Sequence, residues 1–208
     1  MTVFTVVESS QGALRNAAFL HLSYGASYDL DVCAGEGMFW RGLPDLEPRW
    51  RFDLHKHSGV NWQADFGERP FLAGASNSMV DDPPFLHAVG ANSRMRQYGT
   101  GFRNQEEIRK LYYDALLEIS LALAPGGVLV FKCQDIVESG KQWWNHIYVQ
   151  REAARLASLE TIDLYILHRR NRIVGSNHTA RQVHARKTHT YFWVFRKLVW
   201  RPQAALPK

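Results

Sequence analysis

Apolar residues recur at three- and four-residue spacing through Ile108, Leu111, Tyr112, Ala115, Leu116, Ile119 and Leu123. That period predicts an amphipathic helix over 105–123. Asn104 stands where an N-cap would accept a free amide, and Glu107 matches the acid of a capping box, with Asn in place of Ser or Thr. Pro125-Gly126-Gly127 stops the helix and turns the chain. The unbroken run Val128-Leu129-Val130-Phe131 then predicts a strand buried on both faces. Shorter runs predict strands at Tyr28–Cys33, Trp50–Asp53 and Tyr191–Phe195, and another over residues 161–167. Asn77–Asp82 is a further strand with few apolar residues, stopped by Pro83-Pro84. A looser helix is expected over residues 141–158. Strands alternating with helices predict an α/β domain with a mostly parallel sheet. Ligands of such sheets sit beyond the C-terminal ends of the strands, so strand ends are the candidate positions for chemistry.

The 208 residues fit one domain, with 46% apolar and 22% charged positions. This excludes a disordered, collagen-like or disulfide-scaffold chain. No stretch approaches the roughly 20 apolar residues of a membrane span. Met1-Thr2-Val3-Phe4 lacks a basic n-region and an apolar h-region, so a reducing, cytoplasmic setting is expected. Cys33 and Cys133 are too far apart for metal-ligand spacing, and both read as small buried residues.

Charge is unevenly placed. Residues 1–163 carry 15 Lys/Arg and all 20 Asp/Glu; residues 164–208 carry 10 Lys/Arg and no acid. His168, His178, His184 and His189 add to that quarter, without the spacing of a metal site. A basic stretch on a mildly acidic body suits a polyanionic partner, or equally a solubilising tail.

Three predicted strand ends are chemically marked. The first is Asp31-Val32-Cys33-Ala34-Gly35-Glu36-Gly37. Its glycines let a ligand approach the backbone, and a helix N-terminus is expected to follow; alone, it is also a plain tight turn. Trp40 breaks the full G-x-G-x-x-G pattern, which argues against a nicotinamide or flavin enzyme. The second is Asp53, placed to accept both hydroxyls of a ribose, or else merely solvated. Asp65-Phe66 is related: an acid for an adenine amino group beside a ring for the base, or a loop acid beside a core ring. The third is Asp82-Pro83-Pro84-Phe85. Two prolines hold the backbone rigid, so the Asp82 carboxylate and the Pro83 carbonyl can be aimed at one amino group. Phe85 offers a face for stacking on a base. Alone, the tetrad is also a rigid turn after a strand.

Together, D-x-x-x-G-x-G, then an acid, then Asp-Phe, then D-P-P-F resemble the S-adenosylmethionine-dependent amino-group methyltransferases, which act on adenine N6 or cytosine N4 in DNA. Some RNA guanine-N2 methyltransferases have a similar tetrad. The resemblance covers about residues 28–196. It implies a Rossmann-like class I fold, with a mostly parallel seven-stranded sheet and helices on both faces. It implies S-adenosylmethionine as cofactor, with Asp31, Cys33, Ala34, Gly35 and Gly37 around the methionine moiety. Asp53 would take the ribose, Asp65 and Phe66 the adenine, and Asp82, Pro83, Pro84 and Phe85 the target base. Phe85 stands where Tyr is frequent, which keeps the stacking and loses a hydroxyl. The expected activity is methylation of a nucleobase amino group, most directly adenine N6 in DNA. The alternatives are cytosine N4, RNA guanine N2 or adenine N6, and a catalytically silent nucleic-acid-binding module.

The expected organisation is a single domain over 1–208, with an N-terminal helical segment to residue 27. Residues 86–104 form a substrate loop or a connector, carrying Arg94, Arg96 and Arg103 among glycines. Residues 164–208 hold the last strands and the basic residues Arg169, Arg170, Arg172, Arg186 and Lys187, expected to flank nucleic acid, DNA first. Trp40, Trp143 and Trp144 read as core or interface, and Lys132 is open to either reading. No membrane and no metal is expected. By type, the expected setting is the cytoplasm of a bacterial or phage-infected cell.

Overall fold

The structure is a computed structural model that describes residues 2–65, 71–86, 102–138, 140–156, 158–168, 183–185 and 187–199. The expectations on Phe66, on Arg94, Arg96, Arg169, Arg170, Arg172 and Arg186, and on most of the 86–104 loop lie outside the described residues.

The described strands are β1 (Val6–Val7), β2 (Leu30–Asp31), β3 (Trp50–Asp53), β4 (Trp62–Gln63), β5 (Ser76–Asp81), β6 (Leu123–Cys133), β7 (Ile136–Glu138), β8 (Lys141–Trp143), β9 (Leu159–His168) and β10 (His189–Lys197). One sheet runs through the chain in the order β1-β9-β10-β6-β5-β2-β3-β4. All its pairings are parallel except those of β10, which runs antiparallel to both β6 and β9. The expected seven strands become eight because the two residues of β1 pair with the outer side of β9. Strands β7 and β8 form a separate hairpin after the end of β6.

Helices cover both faces. Helix α1 (Ser10–His21) buries Leu14 and Ala17 with Tyr28, Trp40, Val130 and Phe192 on one side. Helices α2 (Gln105–Ala122) and α3 (Asn145–Arg155) bury Ile108, Tyr112, Leu116 and Val149 with Leu129 and Phe131 on the other. Strand β6 is central because its residues alternate into both cores. Truncating a side chain buried against β6, Leu116 of α2 for example, would cost about 2–5 kcal/mol.

Helix α2 begins as the sequence predicts. Asn104 Oδ1 accepts from the Glu107 amide at 3.0 Å. Glu107 reaches back to the Arg103 amide at 2.8 Å, one residue before the cap. Three expectations need correction. The segment from residue 141 forms β8 before it turns helical at Asn145. The glycine turn leads into a three-residue 3₁₀ turn, Met38–Trp40, and not a helix N-terminus. Cys33 is half-buried, while Cys133 is buried as expected.

The weakly apolar β5 is held by polar contacts. The Asp29 carboxylate accepts from the amides of Asn77 and Ser78, at 2.6 and 3.3 Å, and Ser78 Oγ accepts from the Asp29 amide. These bonds satisfy polar groups that a buried strand would otherwise leave unpaired.

Candidate functional site

The parallel strands deliver their marked ends to one edge of the sheet. Strands β2, β3 and β5 end at Asp31, Asp53 and Asp81, and the tetrad Asp82–Phe85 follows β5 directly. Asp65 lies two residues beyond β4 and is exposed. Gln134 and Asp135 follow β6.

The glycine turn is built by local strain and close packing. Gly35 and Gly37 have φ of 51° and 69°, in the left-handed region that favours glycine. The Gly37 amide bonds the Ala34 carbonyl at 2.9 Å, and the Ala34 amide bonds the Phe52 carbonyl of β3. Gly59 packs on this turn so closely that a Cβ there would stand 2.8 Å from the Gly37 nitrogen.

Two acids assigned to a ligand hold the turn itself. Asp31 is 1% exposed. Its Oδ1 accepts from the Cys33 amide at 3.2 Å and its Oδ2 from Trp40 Nε1 at 2.7 Å. Asp31 therefore lies beneath the turn. Asp53 Oδ2 accepts from the Gly35 amide at 2.9 Å and Oδ1 from the His55 amide at 2.8 Å. Each carboxylate oxygen keeps a second lone pair. Asp53 thus ties β3 to the turn and retains acceptor capacity.

The tetrad is pinned at both ends. Lys132 Nζ, from β6, donates to Asp82 Oδ2 at 2.6 Å, and Gln105 Nε2, from α2, donates to the Phe85 carbonyl at 3.3 Å. Pro83 is buried, while Pro84 and Phe85 are partly exposed. Lys132 also lies over the Phe39 ring, 4.7 Å from its centroid.

Carboxyl groups concentrate here. Burial, reinforced by Asp82 and Asp53, pushes the Asp31 carboxyl up to about 7 against the hydrogen bonds from Trp40 and Cys33. Burial, then repulsion from Asp31 and Asp82, raises Asp81 well above the usual carboxylate range. Asp81 Oδ2 is buried without a hydrogen-bond partner among the described residues. Burial and four neighbouring carboxylates likewise push the Cys33 thiol up. A glycine turn bordered by such acids, with an unpaired buried carboxylate oxygen, fits a cationic ligand.

Of the remaining expected residues, Arg103 pairs with Glu107, and Lys187 lies over Trp144, 3.5 Å from its centroid, and donates to Gln142. Lys187 thus joins the basic C-terminal quarter to the β7–β8 hairpin. Sequence reasoning missed Asp81, Gln105, Asn145, Asp135 and His146. The polar residues Lys132, Gln134 and Asp135 at the end of an apolar run were the available signal.

No family model matches the sequence, and no curated protein matches it. Solved structures do. TrmN from Thermus thermophilus aligns with 91% of this chain and 50% of its own, at 14% identity and a TM-score of 0.54. The 1,6-didemethyltoxoflavin-N1-methyltransferase of Burkholderia thailandensis, with 1,6-didemethyltoxoflavin and S-adenosylhomocysteine bound, aligns over 92% of this chain and 80% of its own, at 14% identity and a TM-score of 0.52. A candidate DNA modification methylase of Thermus thermophilus, complexed with S-adenosyl-L-methionine, aligns over 68% of this chain and 56% of its own, at 18% identity and a TM-score of 0.47. The chain spans about half the length of the two Thermus proteins, 50% and 56%. What the chain shares with TrmN and the toxoflavin-type enzyme is the fold alone: the Rossmann-like fold of class I methyltransferases, with a mostly parallel sheet and helices on both faces.

Proposed function

We propose that this chain is an S-adenosylmethionine-dependent methyltransferase acting on an exocyclic amino group of a nucleobase, most directly adenine N6 in DNA. One observation carries the reading. The Asp82-Pro83-Pro84-Phe85 turn sits at the end of β5, beside the glycine turn, with Asp82 fixed by Lys132 and Phe85 by Gln105.

Bound S-adenosylmethionine would supply a methyl group on a sulfonium, open to in-line attack by an amino nitrogen with the thioether as leaving group. The Gly35–Gly37 turn, Asp53 and Asp65 are the residues assigned to hold it, and Asp81 Oδ2, unpartnered among the described residues, is a further acceptor beside them. An exocyclic amino nitrogen is a poor nucleophile because its lone pair conjugates with the ring. Hydrogen bonds from its two N–H groups to Asp82 and the Pro83 carbonyl favour a pyramidal nitrogen. With Oδ2 held by Lys132, Oδ1 is the oxygen left for this contact. Phe85 stacks on the base and offsets part of the few kcal/mol that extruding it from a duplex costs. Fixed acceptors and a fixed stacking face supply positioning, a large share of such a barrier.

The test is incubation with isotopically labelled cofactor and either DNA or RNA, followed by nucleoside mass spectrometry. Label on N6-methyladenine from DNA is the expected result. Label on N4-methylcytosine, or on a base from RNA, would redirect the assignment to that base. Nucleic-acid binding with no label in any nucleoside would overturn the enzyme reading in favour of a silent binding module.

A further inference from the structure

A second constellation stands at the end of β6, outside the residues assigned to cofactor and tetrad. Asp135 is 1% exposed. Its Oδ1 accepts from His146 Nδ1 at 2.8 Å and from the His146 amide at 3.1 Å. The His146 ring stacks on Tyr191 with centroids 4.2 Å apart and planes 15° apart, and the His146 carbonyl accepts from Trp193 Nε1 at 3.0 Å. Ring, main chain and carboxylate are all fixed. An imidazole whose Nδ1–H donates to a carboxylate carries a free lone pair on Nε2. No described residue bonds the His146 Nε2 atom.

This pair is connected to the tetrad. Gln105 Nε2 donates to the Phe85 carbonyl, and Gln105 Oε1 accepts from Asn145 Nδ2 at 3.3 Å. Asn145 precedes His146 and also donates to the Gln134 carbonyl at 3.0 Å. Gln105 and Asn145 are fully buried. Two hydrogen bonds therefore span the distance from the stacking residue to the residue before His146.

Methyl transfer creates a demand that the tetrad meets poorly. As the N–CH₃ bond forms and the sulfur keeps the electron pair of the broken S–CH₃ bond, the amino nitrogen becomes cationic and must release a proton. Asp82 is a costly acceptor. Protonating it would leave the Lys132 ammonium, 9% exposed, without its counter-charge. Protonating His146 does the reverse, because it sets a cation against the buried carboxylate of Asp135. We propose that His146 is the proton acceptor of the transfer, through water that replaces the Pro83 carbonyl as partner of one N–H once the methyl group is on nitrogen, with Asp135 as its positioning residue. The proton passes to Nε2 and then to solvent. The charged and titratable groups in contact with His146 are Asp135 after β6 and Tyr191 on β10; Arg109 on α2 bonds the preceding residues Trp144 and Asn145, and His189 on β10 lies beside Tyr191. This inference rests on the amino-methyltransferase reading.

Single-turnover transfer to the nucleic acid identified above, measured across pH, tests it. In the wild type the rate falls as acid protonates an essential imidazole. His146→Gln is expected to lower the rate about 10²–10⁴-fold and to abolish that acid limb, with cofactor affinity unchanged. Asp135→Asn should move the limb to lower pH, because the imidazolium loses its counter-charge. Imidazole added to His146→Ala should restore part of the rate, a response that a purely structural histidine would not give. A wild type without an acid limb, or a His146→Gln variant that keeps both rate and limb, would overturn the proposal while leaving the methyltransferase reading intact. A wild type that methylates no nucleic acid would overturn both.

Discussion

Lys132 Nζ lies 2.6 Å from Asp82 Oδ2, a contact between residues fifty positions apart that fixes the first carboxylate of the tetrad. Only a parallel pairing of β5 with β6 brings them together, since Asp81 stands opposite Phe131 in that register. Side-chain exposures of 9% for Lys132 and 26% for Asp82 make the pair mostly desolvated, so removing one partner is costly.

Asp82→Ala is expected to abolish methyl transfer and to leave cofactor affinity within about threefold, as for a group that acts on substrate alone. Lys132→Met should also lower stability, by about 1–3 kcal/mol after allowance for the partial exposure of Asp82. Calorimetric cofactor titration and urea unfolding measure the two effects. Equal stability of Lys132→Met and wild type would show the ion pair to be structurally idle.

Stability should fall as pH rises between about 4 and 7. Below this window both folded and unfolded chains hold the Asp31 proton. Within it the unfolded chain has released the proton and the folded chain, whose Asp31 carboxyl is raised to about 7, still holds it. Above the window both are ionised and the cost levels off. Asp81, also raised by burial, acts in the same direction. Urea unfolding at a series of pH values tests this, with Asp31→Asn expected to flatten the slope. A stability rising across this window in the wild type would contradict the assignment.

Gly59→Ala tests the close packing under the glycine turn. The new Cβ would meet backbone at 2.8 and 2.9 Å, from Gly37 and Glu36, where no flexible side chain can give way. Displacement of the turn should weaken cofactor binding at least tenfold while circular dichroism stays unchanged. Unchanged affinity would mean that the turn does not contact the cofactor.

Gln105→Leu removes the donor to the Phe85 carbonyl and leaves Asn145 Nδ2 with the Gln134 carbonyl alone. Loss of a buried polar partner should cost about 1–3 kcal/mol, and a loosened Phe85 should raise KM for nucleic acid more than it lowers kcat. A variant of normal KM would free Phe85 from this support.

Several elements are legible in the sequence because their signals are local. Strand β3 coincides with the predicted Trp50–Asp53, and α2 runs Gln105–Ala122 against the predicted 105–123, since period and capping box lie within one segment. Strand β4 escapes because two residues cannot show alternation. Strand β8 stands where the spacing predicts the start of a helix, although Ser139-Gly140 before it is a turn dipeptide in the sequence. Likewise Asp31 and Asp53 are the right residue types at the right strand ends. Yet the amides and the indole that occupy them come from residues whose placement depends on how the turn closes.

The sequence by itself determined the alternation of strands and helices, the tetrad at a strand end and the basic C-terminal quarter, because period, proline and charge are properties of neighbouring residues. Tertiary structure alone decided that Lys132 holds Asp82, that Asp81 Oδ2 is buried without a hydrogen-bond partner among the described residues, and that Asp135 aims His146. Each of these depends on strand order and register, which bring together side chains far apart in the chain and strip them of water.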